Sequence, residues 1–240
     1  MIERVRKRLP RELRFRTNRF ILDTPVLGET YLLLRGPLRP FRVTKDTEIV
    51  IEGFPRSANT YALHVFGLAT ADRVHISGHT HASRTVVQAV RRQLPCIVLA
   101  REPGAAVASL LQMAPGVRAL SALRGYQQFH TRLLPYLPAV QVAKFETVVS
   151  DFGAVMKSCN AQFGTAFPEY QHTSENESVI RQRIDEASFR RSGYLAESGV
   201  ARPSQHRQNP EEMLLGLDRE ARAAYSEATE IYHRFIEGVA

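Results

Sequence analysis

A β-branched apolar run that leads directly into a proline-containing turn and then a helix limits the fold more than any other feature of this sequence. Residues 48–54 read Glu-Ile-Val-Ile-Glu-Gly-Phe, which is typical of a short buried strand. The turn at residues 55–60 follows at once, and the apolar residues of 61–70 have the spacing of a buried helix. Strand, tight loop and helix in this order are the local plan of a nucleotide-binding α/β unit.

The same plan recurs along the chain. A second apolar strand is predicted at 96–100, and the sequence Arg101-Glu-Pro-Gly leads from it into a helix at 105–112. Further patterns predict a strand at 140–145, a loop at 190–210, and helices at 84–93, 120–134, 151–163, 175–188 and 218–237. Strands that alternate with helices predict an α/β fold, a three-layer α/β/α domain with a mainly parallel sheet over residues 46–240. A basic arm and an irregular lead-in over residues 1–45 would precede this domain.

The positive charge is concentrated at one end of the chain. Of the formal net charge of +8, most lies in the first twenty residues. This segment contains two acidic residues, Glu3 and Glu12, and eight basic ones: Arg4, Arg6, Lys7, Arg8, Arg11, Arg14, Arg16 and Arg19. The rest of the chain is nearly balanced, so we expect no specific nucleic-acid partner. An anionic membrane surface is one candidate partner for residues 1–20, and a solvated terminus is the alternative. Because no apolar run approaches the length of a membrane span, we expect a cytoplasmic protein, with peripheral membrane contact through that arm.

Two loops that follow predicted strands carry cations. In a parallel sheet, ligands bind beyond the carboxyl ends of the strands, so residues 55–60 and 101–103 should lie close together. A tight turn at a helix N terminus presents backbone N–H groups to an anion, and Arg56 adds a forked donor suited to phosphate or sulfate. Ser57, Asn59 and Thr60 add side-chain donors. The sequence therefore predicts an anion-binding site at this edge.

The first loop differs from the Walker A sequence of P-loop NTPases. Ala58 stands where that pattern has its second glycine, and Asn59 where it has the lysine. The strand at 96–100 ends in Arg101, whereas a P-loop NTPase needs an acidic Mg²⁺ ligand at the end of a neighbouring strand. Two cationic strand ends favour a highly anionic ligand and predict no metal.

Two stretches resemble the sulfotransferases that use 3′-phosphoadenosine 5′-phosphosulfate (PAPS). Residues 54–61, Phe-Pro-Arg-Ser-Ala-Asn-Thr-Tyr, look like their 5′-phosphosulfate loop, whose pattern is close to P-[KR]-S-G-T-T-[WYF]. Residues 101–109, Arg-Glu-Pro-Gly-Ala-Ala-Val-Ala-Ser, resemble their 3′-phosphate element. The sequence Lys144-Phe-Glu146, with the helix that ends at Phe163-Gly164, is similar to a third family feature. The resemblance covers roughly residues 48–165, and Ala58 and Asn59 depart from it.

The resemblance implies PAPS as the co-substrate and a set of binding residues. The 5′-phosphosulfate would be held by Arg56, Ser57, Ala58, Asn59 and Thr60, and the 3′-phosphate by Arg101 and Ser109. Family members add a late basic loop, for which Arg191 and Gly193 are the nearest candidates and Arg202 and Arg207 the alternatives.

The resemblance also implies sulfuryl transfer to a hydroxyl group by in-line attack. The acceptor would be a small molecule, a glycan or a lipid. His81, in the Thr80-His81 pair, would be the general base, with His79 or a carboxylate as alternatives, and Arg56 would stabilise the leaving bridging oxygen. Three other readings stay open: a Mg²⁺–ATP kinase or phosphotransferase, a non-catalytic nucleotide-binding homologue, and a polyanion- or membrane-binding protein defined by its arm. Under the last reading, deletion of residues 1–20 would leave nucleotide binding untouched.

Overall fold

The computed structural model describes residues 9–34, 41–192 and 210–238, without the side chains of residues 25, 191, 192, 210 and 211. The strands are β1 (Ile49–Gly53), β2 (Ile76–Gly78), β3 (Cys96–Ala100) and β4 (Gln141–Lys144). The helices are α1 (Arg11–Asp23), α2 (Pro25–Leu34), α3 (Asn59–Ala69), α4 (Ser83–Arg91), α5 (Pro103–Met113), α6 (Ala119–Leu133), α7 (Phe145–Ser150), α8 (Phe152–Phe163), α9 (Ser174–Ser192), α10 (Pro210–Leu215) and α11 (Arg219–Glu237). A 3₁₀ segment, Leu134–Ala139, joins α6 to β4.

The four strands form one sheet in the order β2-β1-β3-β4, and every neighbouring pair is parallel. Gly53 pairs with Leu99, so β1 and β3 end at the same edge. The predicted strands at 48–54, 96–100 and 140–145 are confirmed, whereas the short strand β2 was not predicted. The sequence of β2, Ile-Ser-Gly, has no apolar run, and its pairing with β1 defines it as a strand.

Helices cover both faces of the sheet, and each face has its own buried core. On one face, Val50 and Val98 pack with residues of α4, α5, α6 and α11. On the other, Ile51 and Leu99 pack with residues of α3, α8 and α9. Side chains alternate between the two faces along each strand, so both cores draw on the same apolar runs. The predicted three-layer α/β/α architecture with a parallel sheet is confirmed.

Part of the expected basic arm and irregular lead-in over residues 1–45 is helical, because residues 11–23 form α1 and residues 25–34 form α2. Proline suits the first turn of a helix because its missing N–H has no partner to lose there, and Pro25 opens α2. α1 packs on the domain: the side chain of Arg19 is buried and donates to the carbonyl of Gly125 at 2.6 Å. The hydroxyl of Ser83 donates to Asp23 at 2.9 Å, which ties the end of α1 to the start of α4.

The observed ends of α8 and α9 can be compared with the helix boundaries predicted from the sequence. Asp151 caps α8, its carboxylate accepting from the amide of Ala154 at 3.0 Å, and Gly164 ends that helix with φ 64°, as expected. The predicted loop at 190–210 is wrong for its first three residues because α9 continues to Ser192. In residues 9–34, 41–192 and 210–238, no helix is both long enough and apolar enough to cross a membrane.

Candidate anion-binding site

The loop between β1 and α3 has a tightly turned backbone. Arg56 and Ala58 both adopt the left-handed conformation, with φ 70° and 68°. The amide of Ser57 donates to the carbonyl of Phe54 at 3.2 Å, and the side-chain amide of Asn59 donates to the same carbonyl at 3.0 Å. These two bonds close the loop on itself and fix the start of α3.

The N terminus of α3 is free of side-chain caps. Ala58 is its N-cap residue and has no side chain that could accept from the first amides of the helix. At the neighbouring helix α5, by contrast, the carboxylate of Glu102 accepts from the amides of Gly104 and Ala105 at 2.8 and 2.7 Å. The uncapped amides and the helix dipole make α3, and not α5, the helix that suits an anion.

A glycine lets the two strand ends approach each other. A Cβ placed on Gly53 would lie 2.8 Å from the carbonyl oxygen of Leu99 and 2.9 Å from its Cβ. Real Cβ contacts are longer, so another residue at position 53 would push β1 away from β3. Gly53 therefore sets how closely the two cationic loops can lie.

The structure brings the two predicted anion-binding elements together. A guanidinium nitrogen of Arg101, Nη1, donates to the carbonyl of Arg56 at 2.8 Å, and the Arg101 guanidinium lies 4.0 Å above the ring of Phe145. Nε of Arg56 donates to Oγ of Ser109 at 2.9 Å. Tyr126 holds the strand end by donating to the carbonyl of Arg101 at 2.7 Å. Arg56, Arg101 and Ser109 thus belong to one cluster, although they come from two separate stretches of the chain.

Ser57 and Thr60 are two further residues of the predicted anion-binding stretch 55–60. The side chain of Ser57 is fully buried, and its Oγ has no hydrogen-bond partner among the residues that the structure describes. A buried hydroxyl without a partner costs about 1–3 kcal/mol, so its presence needs a reason. An oxygen of a bound anion would accept from it. Thr60 lies half-buried in the first turn of α3.

A buried carboxylate, which sequence reasoning missed, organises the loop that carries the candidate base. Glu52 is fully buried in β1 and accepts from the amides of Gly53, Thr80 and His81 at 3.0, 2.8 and 3.0 Å. It also accepts from the hydroxyl of Thr80 at 2.7 Å, which leaves the hydroxyl of Thr85 to donate to Thr80. Burial raises the pKa of Glu52 to about 7, although these donors oppose the rise. The one signal in the sequence was an acidic residue inside an otherwise apolar strand.

The hydrogen bonds of His81 define its tautomer. Its Nδ1 lies 2.9 Å from the carbonyl oxygen of Gly53, which can only accept, so Nδ1 carries the proton and Nε2 carries the lone pair. Burial lowers the pKa of His81 to about 4, and the charges of Arg19 and Arg56 contribute to the lowering. The imidazole is therefore neutral at pH 7, and Arg56 is near enough to act on it electrostatically.

His79 lies beside His81, and their ring centroids are 5.0 Å apart, edge to face. Both residues have φ 57°, so the turn between β2 and α4 holds two non-glycine residues in the left-handed region. The ring of His79 also packs edge to face on Phe41, with ring centroids 5.5 Å apart. The structure thus places His81 at the end of β1, through the carbonyl of Gly53, and His79 beside His81.

Of the predicted late basic loop, only the first residues lie in the described part of the chain. Arg190 belongs to α9, where it pairs with Glu186 at 3.8 Å. Arg191 lies in the last turn of α9 and its side chain is not described, while Gly193, Arg202 and Arg207 lie outside the described residues. These assignments stay predictions.

The acidic side chains next to the site are already engaged. Glu52 accepts four hydrogen bonds, and Glu102 caps α5 and accepts from the hydroxyl of Tyr225 at 3.0 Å. In the described residues, no group of three or more His, Cys, Asp or Glu side chains is arranged to hold a metal ion. Glu146 is exposed in the first turn of α7.

An open surface depression of about 730 Å³ lies elsewhere, along α9. Its lining comes from that one helix and includes Arg181, Asp185 and Phe189. No residue of the two cationic loops takes part in it, so we place the candidate site at the carboxyl edge of β1 and β3.

The chain has only a weak likeness to the known structure described here. No protein-family model and no curated protein matches the chain. Among solved structures, the crystal structure of mouse sulfotransferase SULT7A1 complexed with PAP is similar to this chain. The two are 13% identical with a TM-score of 0.47, and the match covers 85% of this chain and 92% of that chain. At this identity and TM-score, the likeness carries no argument about ligand or activity.

Proposed function

We propose that this protein is a PAPS-dependent sulfotransferase that transfers a sulfuryl group to a hydroxyl acceptor. One observation carries the proposal: Arg56, Arg101 and Ser109, predicted from two separate motifs, form a single hydrogen-bonded cluster beside an uncapped helix N terminus. A ligand with anionic groups at two positions suits a cluster with two cationic loops. PAPS is such a ligand, with a 5′-phosphosulfate and a 3′-phosphate.

In this proposal each loop binds a different anionic group of the ligand. The amides at the start of α3, with Arg56, Ser57, Ala58, Asn59 and Thr60, hold the 5′-phosphosulfate. Arg101 and Ser109 hold the 3′-phosphate. The buried hydroxyl of Ser57 gains the acceptor that it lacks. The small side chain of Ala58 leaves the backbone accessible, although the resemblance would place a glycine there.

Bound PAPS would supply a sulfuryl group activated by its phosphate leaving group. His81 takes the proton of the acceptor hydroxyl on Nε2, because Nδ1 already donates to the carbonyl of Gly53. Arg56 and the amides of α3 neutralise the negative charge that develops on the 5′-phosphate side. Glu52 positions the base by accepting from the amide of His81. The acceptor is a small-molecule, glycan or lipid hydroxyl.

A kinase or phosphotransferase that uses Mg²⁺–ATP is the main alternative, and the site's chemistry disfavours it. Such an enzyme needs a carboxylate beside the phosphates to hold Mg²⁺. The neighbouring carboxylates of Glu52 and Glu102 instead accept from backbone amides and hydroxyls. The loop also has Asn59 where the phosphate-binding lysine would stand.

Thermal unfolding with a panel of nucleotides tests the ligand class. Adenosine 3′,5′-bisphosphate, AMP and Mg²⁺–ATP are each added to the wild-type protein. A ligand at 100 times its dissociation constant adds about 2.7 kcal/mol to the free energy of unfolding, which for a chain of this size raises the melting temperature by several degrees. We expect the bisphosphate to give the largest shift. A shift with Mg²⁺–ATP and none with the bisphosphate would replace the sulfotransferase with the kinase.

A further inference from the structure

The two N-terminal helices turn apolar side chains outward. On α1, the inward stripe holds Phe15 and the buried Arg19, while Leu13 and Phe20 are exposed on the opposite face. On α2, Leu32 is buried, whereas Val26, Leu27, Leu33 and Leu34 are exposed. We define the N-terminal apolar surface as the exposed side chains of Leu13, Phe20, Val26, Leu27, Leu33 and Leu34.

This arrangement reverses the usual pattern of a surface helix. A helix on a soluble domain normally buries its apolar stripe and presents polar residues to solvent. Residues 26, 27, 33 and 34 have helical spacing, and all four are exposed. Apart from Leu9, which lies just before α1, the other exposed large apolar side chains in the described part of the chain are Met113, Phe189 and Leu215, which lie on three different helices. Exposed apolar side chains concentrated in this way mark an interaction surface.

The two helices form one unit attached to the domain. The hydroxyl of Tyr31 donates to Oδ1 of Asn18 at 3.1 Å, which joins α2 to α1. Arg84 of α4 donates to the carbonyl of Leu22 at 3.2 Å and pairs with Glu29 at 3.3 Å. The inward faces are therefore engaged with the domain, and among the described residues the outward side chains of the N-terminal apolar surface are exposed.

The charge around this surface selects the partner. Arg16 is exposed on α1 between Leu13 and Phe20, and the first twenty residues hold eight basic side chains against two acidic ones. A second copy of the chain would bring the same positive charge and be repelled. A bilayer with anionic headgroups offers negative charge at its surface and an apolar layer just below. We propose that α1 and α2 bind the surface of an anionic membrane through the N-terminal apolar surface, together with the basic residues of positions 1–20.

The test is sedimentation of the full chain with phosphatidylcholine vesicles, prepared with and without phosphatidylserine. We expect wild-type protein to sediment with the vesicles that contain phosphatidylserine and to be released by salt. The double variant Phe20→Ser/Leu34→Ser should bind on the order of tenfold more weakly, because two apolar side chains no longer insert. The variant Arg16→Glu should also bind more weakly. The control Arg92→Glu changes an exposed arginine just after the C-terminal end of α4, whereas α1 contacts the N-terminal end of that helix, and it should bind as wild type does.

A matched pair of substitutions supplies the control. Phe20 and Leu34 are 67% and 70% exposed, and Phe189 and Leu215 are 56% and 80% exposed. The variant Phe189→Ser/Leu215→Ser should bind vesicles as wild type does. The proposal is overturned if wild-type protein stays in the supernatant with both kinds of vesicle, or if the two double variants lose binding equally. It is also overturned if light scattering shows a dimer that only Phe20→Ser/Leu34→Ser dissociates, without vesicle binding.

Discussion

At the scale of single residues, backbone strain is concentrated at the candidate site. Of the seven non-glycine residues with positive φ in the described part of the chain, four, Arg56, Ala58, His79 and His81, lie in the loops that follow β1 and β2. The other three are Ala71, Asp72 and Gln93. Such conformations cost free energy and persist where function or surrounding structure requires them. The strain at Ala58 is the simplest to measure, because the side chain is only a methyl group.

We predict that Ala58→Gly raises the free energy of unfolding by up to about 1 kcal/mol, because glycine adopts positive φ without a Cβ clash. The control is Ala161→Gly, at an exposed position inside α8, which should lower it by about 1 kcal/mol. Chemical denaturation of wild type and the two variants measures these changes in the free energy of unfolding. Loss of stability in both variants would show that position 58 is not strained.

His81 gives a prediction for the rate and its dependence on pH. Removing a general base lowers a rate by about 10²–10⁴-fold, so we expect that loss in kcat for His81→Gln, with binding of adenosine 3′,5′-bisphosphate retained. Because the pKa of His81 is lowered to about 4, the imidazole is already neutral at pH 6. The wild-type rate should therefore be insensitive to this group between pH 6 and 8 and fall as the pH approaches 4. A smaller loss for His81→Gln than for His79→Gln would transfer the role to His79.

At the scale of elements, the described strands and helices differ in how far their own sequences predict them. Strand β1 has a β-branched apolar run, Ile49–Ile51, and ends in Gly53, while β3 is apolar throughout and is followed by Arg101. Such runs are recognisable without tertiary information. α1 and α2 were missed because basic residues, Pro25 and Gly28 interrupt any apolar period, and their packing on α4 and α6 stabilises them. The carboxylate of Glu52 was missed for a similar reason. Its role depends on donors that lie almost thirty residues further along the chain.

Helix α6 carries a second buried histidine that predicts an acid-sensitive fold. His130 stacks on Tyr126 with ring centroids 4.0 Å apart and packs edge to face on Phe235. Burial lowers its pKa to about 4, so between pH 6.5 and 4 the unfolded chain binds a proton that the folded chain does not. Stability therefore falls as the pH falls through this window, by roughly 3 kcal/mol from this residue.

The variant His130→Gln should lose less of its melting temperature between pH 7 and pH 5 than wild type does. The comparison uses the difference between the two pH values, so an overall loss of stability from the substitution does not affect it. His233→Gln, at an exposed position of α11, should keep the wild-type difference. If His130→Gln loses as much melting temperature between pH 7 and pH 5 as wild type does, His130 is not the source of the acid sensitivity.

At the scale of the whole molecule, the N-terminal segment belongs partly to the domain. Under the reading of a polyanion- or membrane-binding protein defined by its arm, deletion of residues 1–20 leaves nucleotide binding untouched. Arg19, however, lies buried, with its guanidinium 5.5 Å from the ring centroid of Phe54, which directly follows β1. Glu12 accepts from the amide of Arg118 at 2.9 Å and from the hydroxyl of Ser121. Deletion of residues 1–20 removes these contacts and uncovers the core beneath them.

We therefore expect deletion of residues 1–20 to lower the melting temperature and weaken nucleotide binding. For a chain of this size, each kcal/mol of lost stability lowers the melting temperature by about 2–4 °C. Arg16→Gln removes a charge from the exposed face of α1 without removing the helix, and it should melt as wild type does. Equal melting temperatures for the deletion and the wild-type protein would mean that α1 does not stabilise the domain.

The most direct test of the account is whether Arg101 and Ser109 recognise a 3′-phosphate. Calorimetry gives the dissociation constants of adenosine 3′,5′-bisphosphate and AMP for wild type, Arg101→Ala and Ser109→Ala. We predict that wild type binds the bisphosphate at least tenfold more tightly than AMP, because charge-assisted hydrogen bonds contribute about 1.5–3 kcal/mol. Both substitutions should reduce that ratio towards one while the affinity for AMP changes little. Equal affinities for the two nucleotides in wild type would contradict the account.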